Sequence, residues 1–158
     1  MKRIVPYIII GLLLLGFYIW RYRIPPTIEP LGIKVQTEQG LIEVTELHKG
    51  PILLNFYASW CGPCMREIPD LNNAHQKGLF TVVGVTDDPP EILTRTIERY
   101  GIEYPAYQLE SKLKDYGVYT IPTTYLIDEN GVMIESMTDP RDWDSEEFLN
   151  KVELWLSN

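Results

Sequence analysis

The pattern of apolar and polar positions divides the chain into three stretches. Ile4–Trp20 carries no charge, with Lys2 and Arg3 before it and Arg21 and Arg23 after it. A run of that length is at the short end of what spans a bilayer. Tyr18, Trp20 and Tyr22 cluster where an interfacial aromatic belt would fall. No small-x-small site follows the run, and no cysteine lies near it to accept a lipid. The pattern therefore predicts an uncleaved anchor over residues 1–23, with a transmembrane helix at about 4–20; a cleaved signal peptide is the runner-up. The basic residues balance across the span, so charge leaves the orientation open. Residues 24–31 hold Pro25, Pro26 and Pro30, which forbid helix continuation and favour an extended tether.

From residue 32 onward the pattern alternates between strand and helix signals. Ile33–Thr37 and Leu41–Val44 read as a hairpin around Glu38-Gln39-Gly40. Pro51–Ala58 is a buried-strand type of run, and Leu79–Thr86 is another. Between them Met65, Ile68 and Leu71 recur at helical spacing to about Gln76, with Pro69 expected to kink the helix. Asp87-Asp88-Pro89-Pro90 opens a second helix whose apolar face is Ile92, Leu93, Thr96, Ile97 and Tyr100. Pro105–Leu109 reads as a short strand and Leu113–Tyr116 as a helical turn. Thr123–Asp128 and Val132–Met137 form a hairpin turning at Glu129-Asn130-Gly131. Asp144 with Glu147 reads as a capping box for a last helix, its core face Phe148, Val152, Trp155 and Leu156. A βαβ half joined to a ββα half predicts an α/β fold, a central mixed sheet flanked by helices with an N-terminal β-hairpin.

Composition narrows the function. Residues 32–158 suffice for one compact core, and the apolar and charged fractions are those of an ordinary globular protein. The net charge of −8 implies no nucleic-acid partner and could bias docking toward basic patches.

The only two cysteines stand together in Trp60-Cys61-Gly62-Pro63-Cys64, at the junction of the central strand and the following helix. A bridge across so short a loop constrains little of the unfolded chain, which argues against an inert staple. A structural zinc site needs four ligands, and the only histidines, His48 and His75, form no metal-binding pair. The pair reads as a reversible dithiol/disulfide couple that needs no metal and no cofactor. Cys61, opening the helix, would face unpaired N–H groups and the positive end of the helix dipole, both of which stabilise a thiolate.

Four pieces carry a family resemblance: Leu54-Asn55-Phe56-Tyr57-Ala58-Ser59-Trp60-Cys61-Gly62-Pro63-Cys64, Glu67-Ile68-Pro69, Tyr100-Gly101-Ile102-Glu103-Tyr104-Pro105, and Tyr116-Gly117-Val118 with Ile121-Pro122-Thr123-Thr124. In that order and spacing the chain resembles the membrane-anchored TlpA/ResA branch of thioredoxin-like thiol–disulfide oxidoreductases, which includes the cytochrome c maturation reductases. The resemblance runs from about Gly32 to the C-terminus. It implies a thioredoxin-like domain over 32–158, on the extracytoplasmic side of the membrane, acting mainly as a reductase. Gly-Pro between the cysteines resembles thioredoxin, whose couple is near −270 mV against about −120 mV for a strong oxidant. The partners implied are exported proteins with disulfides, apocytochrome c among them, and a transmembrane thiol-electron donor; a monomer is expected.

The resemblance also distributes roles. Cys61 is the expected nucleophile and Cys64 the resolving thiol. Glu67 matches the glutamate of Cys-x-x-Cys-x-x-Glu-x-Pro and is expected to accept a proton or to modulate the thiol pKa values, the alternative being a solvated first-turn carboxylate. Thioredoxin carries a buried aspartate on the strand before its motif; here Asn55 stands there and cannot titrate. Ile121-Pro122 resembles the cis-proline loop that faces the cysteines, the alternative being an ordinary trans proline. With Trp60, Gly62 and Pro63 it makes the expected substrate-binding set, although Trp60 could equally be an aromatic packed at a strand end. Two other classes of function remain. One is a thiol peroxidase, for which the Pro-x3-Thr-x2-Cys arrangement is missing before Cys61; the other is a non-catalytic redox-sensing module.

Overall fold

A computed structural model describes Gly11 and residues 32–157. The expected anchor, apart from Gly11, and the proline tether lie outside the described residues. Among the described residues no helix is long and apolar enough to cross a membrane.

Strands β1 (Lys34–Thr37), β2 (Gly40–Glu43), β3 (Ile52–Phe56), β4 (Thr81–Thr86), β5 (Ala106–Leu109), β6 (Thr123–Ile127) and β7 (Met133–Met137) form one sheet. Its order is β2-β1-β5-β4-β3-β6-β7. β3 with β4 and β4 with β5 run parallel, and the other pairs antiparallel. Each parallel step needs a crossover. Helix α2 (Gly62–Lys77) supplies the first and α3 (Pro90–Tyr100) the second, while α1 (Val44–Leu47) and α4 (Glu146–Leu156) follow β2 and β7. The turn at Leu113–Tyr116 is a 3-10 helix.

The middle of the sheet is buried on both faces, which is why β3 reads as a continuous apolar run. Ile52, Leu54 and Phe56 pack with Val83, Val85, Val44 and the 3-10 turn on one side. Leu53 and Tyr57 point the other way, into a core with Ile68 and Leu71 of α2 and Phe148 and Val152 of α4. Leu93 and Ile97 of α3 pack against that second core. The face of α2 that carries Cys64 and Glu67 is thereby turned inward.

Four local expectations differ from the structure. Val44 was expected to end a strand; its N–H pairs with Ile33 O at 3.0 Å and the chain turns at once into α1. Helix α2 runs one residue past the expected Gln76, through Pro69 to Lys77, and ends at Gly78 in the left-handed region (φ 74°). Tyr100, placed on the buried face of α3, is exposed, because that face narrows to Thr96 and its half-buried neighbours at the helix end. Ser145, not Asp144, caps α4: its Oγ accepts from Phe148 N at 3.3 Å. Asp144 is occupied elsewhere, its Oδ2 accepting from Asn73 Nδ2 at 2.8 Å.

Candidate active site

The path from β3 to the cysteines is short and fully bonded. Tyr57 N donates to Val85 O (3.0 Å), Ser59 N to Asp88 Oδ2 (2.7 Å) and Cys61 N to Ala58 O (2.9 Å). This tight turn delivers Cys61 to the N-cap of α2 in an extended conformation (φ −81°, ψ 97°). Proline is tolerated at the start of a helix because its missing N–H would have had no partner there. The two sulfurs are joined at 2.02 Å with Cα atoms 5.3 Å apart, and Cys64 N donates to Cys61 Sγ at 3.2 Å. That amide and the helix dipole are in place to stabilise a Cys61 thiolate once the bridge opens. Cys61 is 5 % exposed and Cys64 2 %, whereas Trp60 beside them is 76 % exposed. Gly62 and Pro63 lie exposed between the two buried cysteines.

Trp60 and Ile121 line one groove of about 460 Å³, walled by Leu113, Val118 and Tyr119. Lys112 also lines it and pairs with Asp87 at 3.5 Å. The Ile121–Pro122 bond is cis, and Pro122 is buried behind the groove wall. The structure thus brings the motif and the proline loop, far apart in sequence, to the two sides of a single mostly apolar groove.

Glu67, buried like Cys64 and three residues after it on α2, is 4 % exposed rather than in solvent. Its Oε1 accepts from Trp143 Nε1 at 2.8 Å and from Arg141 N at 3.2 Å. Its Oε2 is buried without a hydrogen-bond partner among the described residues. Burial pushes the carboxyl above its ordinary value; the bonds from Trp143 and Arg141 and the Arg141 charge offset only part of that, and Asp70 adds to the rise. Tyr104 and Tyr57 line the same interior, both with phenols raised chiefly by burial; Glu67 adds to the effect on Tyr104 and Asp88 to that on Tyr57. Asn55 is buried too, its Nδ2 donating to Thr124 Oγ1 at 2.9 Å across the β3–β6 pair. The buried titratable carboxyl next to the couple is therefore on the helix and not on the strand.

Three site residues had no signal in the sequence. Trp143 and Arg141 lie in an irregular segment before α4, and Asp88 was read only as part of a helix start. Buried tryptophan indoles need an acceptor; that requirement links Trp143 to a buried carboxylate but cannot say which one.

A bridge closed at the head of a helix, on a mixed α/β sheet and across a groove from a proline loop, defines a thioredoxin-like redox protein. A profile of the AhpC/TSA family matches residues 29–136, and the chain belongs to that family. It is 27 % identical over 114 residues to a thiol-disulfide oxidoreductase ResA from Bacillus thuringiensis (strain Al Hakam), covering 68 % of this chain and 66 % of that protein. The aligned region is thus just under two thirds of that relative's length. A thiol:disulfide interchange protein of the thioredoxin family from Chlorobium tepidum TLS superposes with a TM-score of 0.62 at 27 % identity, over 78 % of this chain and 92 % of the other. StoA from Bacillus subtilis does so with a TM-score of 0.58 at 25 % identity, over 82 % and 98 %.

Proposed function

We propose that this protein is a thiol–disulfide oxidoreductase that reduces disulfides in exported proteins. The observation that carries the reading is the Cys61–Cys64 bridge at the N-terminus of α2, directly after Trp60, which lines a groove together with Ile121. In the reduced protein the Cys61 thiolate attacks one sulfur of a substrate disulfide. A mixed disulfide forms and one substrate thiolate leaves. Cys64 loses its proton and attacks Cys61 Sγ, which closes the bridge and releases the second substrate thiolate. Two electrons pass from the protein dithiol to the substrate, and a transmembrane thiol donor returns them.

Glu67 is the proton acceptor or pKa modulator for Cys64 in this scheme. Its raised carboxyl and its place one turn along the helix support that role. Trp60, Gly62, Pro63, Ile121 and Pro122 form the substrate-binding rim. The apolar N-terminal run supports a membrane anchor; the reductive direction and the extracytoplasmic side are what the family resemblance implies, and a monomer is expected. Apocytochrome c is the substrate the resemblance favours. Redox titration in glutathione buffers, read by alkylation of Cys61 and Cys64, tests the reading. A couple near −270 mV with catalytic turnover of insulin disulfides is expected. A couple near −120 mV would make the protein an oxidant. Peroxide consumption without disulfide reduction would make it a peroxidase, and stoichiometric insulin reduction a sensing module.

A further inference from the structure

Trp60 has a second groove on its other side. It measures about 340 Å³ and is lined by Ser59, Trp60, Ile92, Arg95, Arg99 and Tyr100. Arg95 and Arg99 stand one helical turn apart on α3, and both are exposed. The chain is acidic, with 22 Asp and Glu against 14 Lys and Arg, yet no carboxylate lines this groove. Among the described residues neither arginine is in an ion pair. Arg95 Nε donates to Glu91 O of its own helix at 3.1 Å, and the Arg99 guanidinium lies 5.5 Å from the centre of the Tyr100 ring. The terminal N–H groups of Arg95 remain, and Arg99 keeps its planar fork against an aromatic face. Both suit bidentate capture of a carboxylate.

We propose that this groove binds an acidic, extended segment of the disulfide-bearing polypeptide partner, with carboxylates on Arg95 and Arg99 while the partner's cysteine reaches Cys61. The proposal rests on the thiol–disulfide exchange reading given above. Its logic is selective attraction. A net charge of −8 repels an acidic chain over most of the surface, so two unpaired arginines beside the couple become the place where such a chain docks. Trp60 (76 % exposed) and Tyr100 (37 %) supply the apolar walls that an extended backbone covers. Because Trp60 lines both grooves, a chain bound along α3 is led across the motif toward Ile121.

The test uses the full-length protein in nonionic detergent and two disulfide-bonded peptides that differ only in flanking residues, glutamate in one and lysine in the other. Second-order reduction rates should favour the acidic peptide by about three- to tenfold at low salt, from two exposed charge contacts. The preference should shrink at 0.5 M salt, where screening is severe. The double variant Arg95→Glu/Arg99→Glu should invert it. Equal rates for the two peptides, or an unchanged ratio in the double variant, would overturn the proposal. A second readout needs no chemistry: a cysteine-free acidic peptide should shift the Arg95 and Arg99 Nε–H and the Trp60 indole NMR signals of the oxidised protein. If neither disulfide is reduced, the exchange reading falls, and this titration alone decides whether the groove takes acidic chains. Shifts elsewhere, or shifts with anionic phospholipid vesicles but not with the peptide, would reject it.

Discussion

Glu67→Gln separates what the buried carboxylate does for the fold from what it does for the chemistry. The substitution keeps an acceptor for Trp143 Nε1 and Arg141 N, the two bonds Glu67 Oε1 accepts at 2.8 and 3.2 Å. It removes a charge whose other oxygen, Oε2, is buried without a partner. A buried unsatisfied acceptor costs about 1–3 kcal/mol, and more when charged; the attraction of Arg141 returns part of this. The amide that replaces Oε2 is also unpaired but neutral. Glu67→Gln should therefore stabilise the folded oxidised protein by about 1–2 kcal/mol at pH 7, or roughly 3–8 °C in Tm.

The gain must depend on pH in one direction. Burial raises the Glu67 carboxyl above its ordinary value of 4.5, so the folded protein holds that proton to higher pH than the unfolded chain. The contribution of the protonated group is complete below pH 4.5 and is lost as pH climbs through the folded-state value. Urea unfolding of the oxidised protein and the variant at pH 4 and pH 7 reads this directly. The two should differ little at pH 4, with the variant ahead at pH 7. An equal difference at both pH values, or a variant less stable at pH 7, would show that the protein already compensates the ionised carboxylate. Disulfide exchange should move the opposite way, with resolution of the mixed disulfide about tenfold slower and its pH profile shifted.

Two further outcomes follow from the same geometry. Cys64→Ser should accumulate mixed disulfides with substrate while Cys61→Ser accumulates few, and alkylation of the reduced protein near neutral pH should label Cys61 first, since a helix-terminal thiol falls below its usual ~8.5; non-reducing gels and peptide mass mapping check both. Gly84→Ala should destabilise by about 1–3 kcal/mol in urea unfolding, because its Cβ would stand 3.0 Å from the buried rings of Tyr57 and Tyr104.

The parts of this site legible in the sequence are those written by local chemistry. A strand buried on both faces leaves a continuous apolar run, so Ile52–Phe56 was plain, and the cysteines at its end marked the start of α2. Glu67 was legible from the Cys-x-x-Cys-x-x-Glu-x-Pro match, and its place on α2 three residues after Cys64 accounts for its burial. Its donor was not, since Trp143 is 76 positions away and reaches it through tertiary packing. The cap of α4 was misassigned for a related reason. Asp144 and Ser145 both have suitable cap chemistry, and the contact of Asp144 with Asn73 on α2 removes it from the contest. Tyr100 misled because periodicity gives a face but not where a neighbouring element stops covering it; the freed ring instead walls the groove beside Trp60.

The location of the buried acid changes what the site depends on. An aspartate on β3 would be held by the sheet alone, where Asn55 now bonds Thr124 across the β3–β6 pair. A glutamate on α2 is held instead by the segment before α4, through the Trp143 indole and the Arg141 amide. Trp143 is itself fully buried and packs edge-on against Phe148 of α4, with ring centres 5.1 Å apart at 89°. The proton affinity of Glu67 thus depends on how α4 seats against α2, and any change that loosens α4 also removes donors from the carboxylate. Those two bonds lower the carboxyl against the rise that burial causes, so losing them shifts its proton affinity. Under the role proposed for Glu67, the seating of the C-terminal helix and the resolution of the mixed disulfide are tied through one oxygen, Glu67 Oε1.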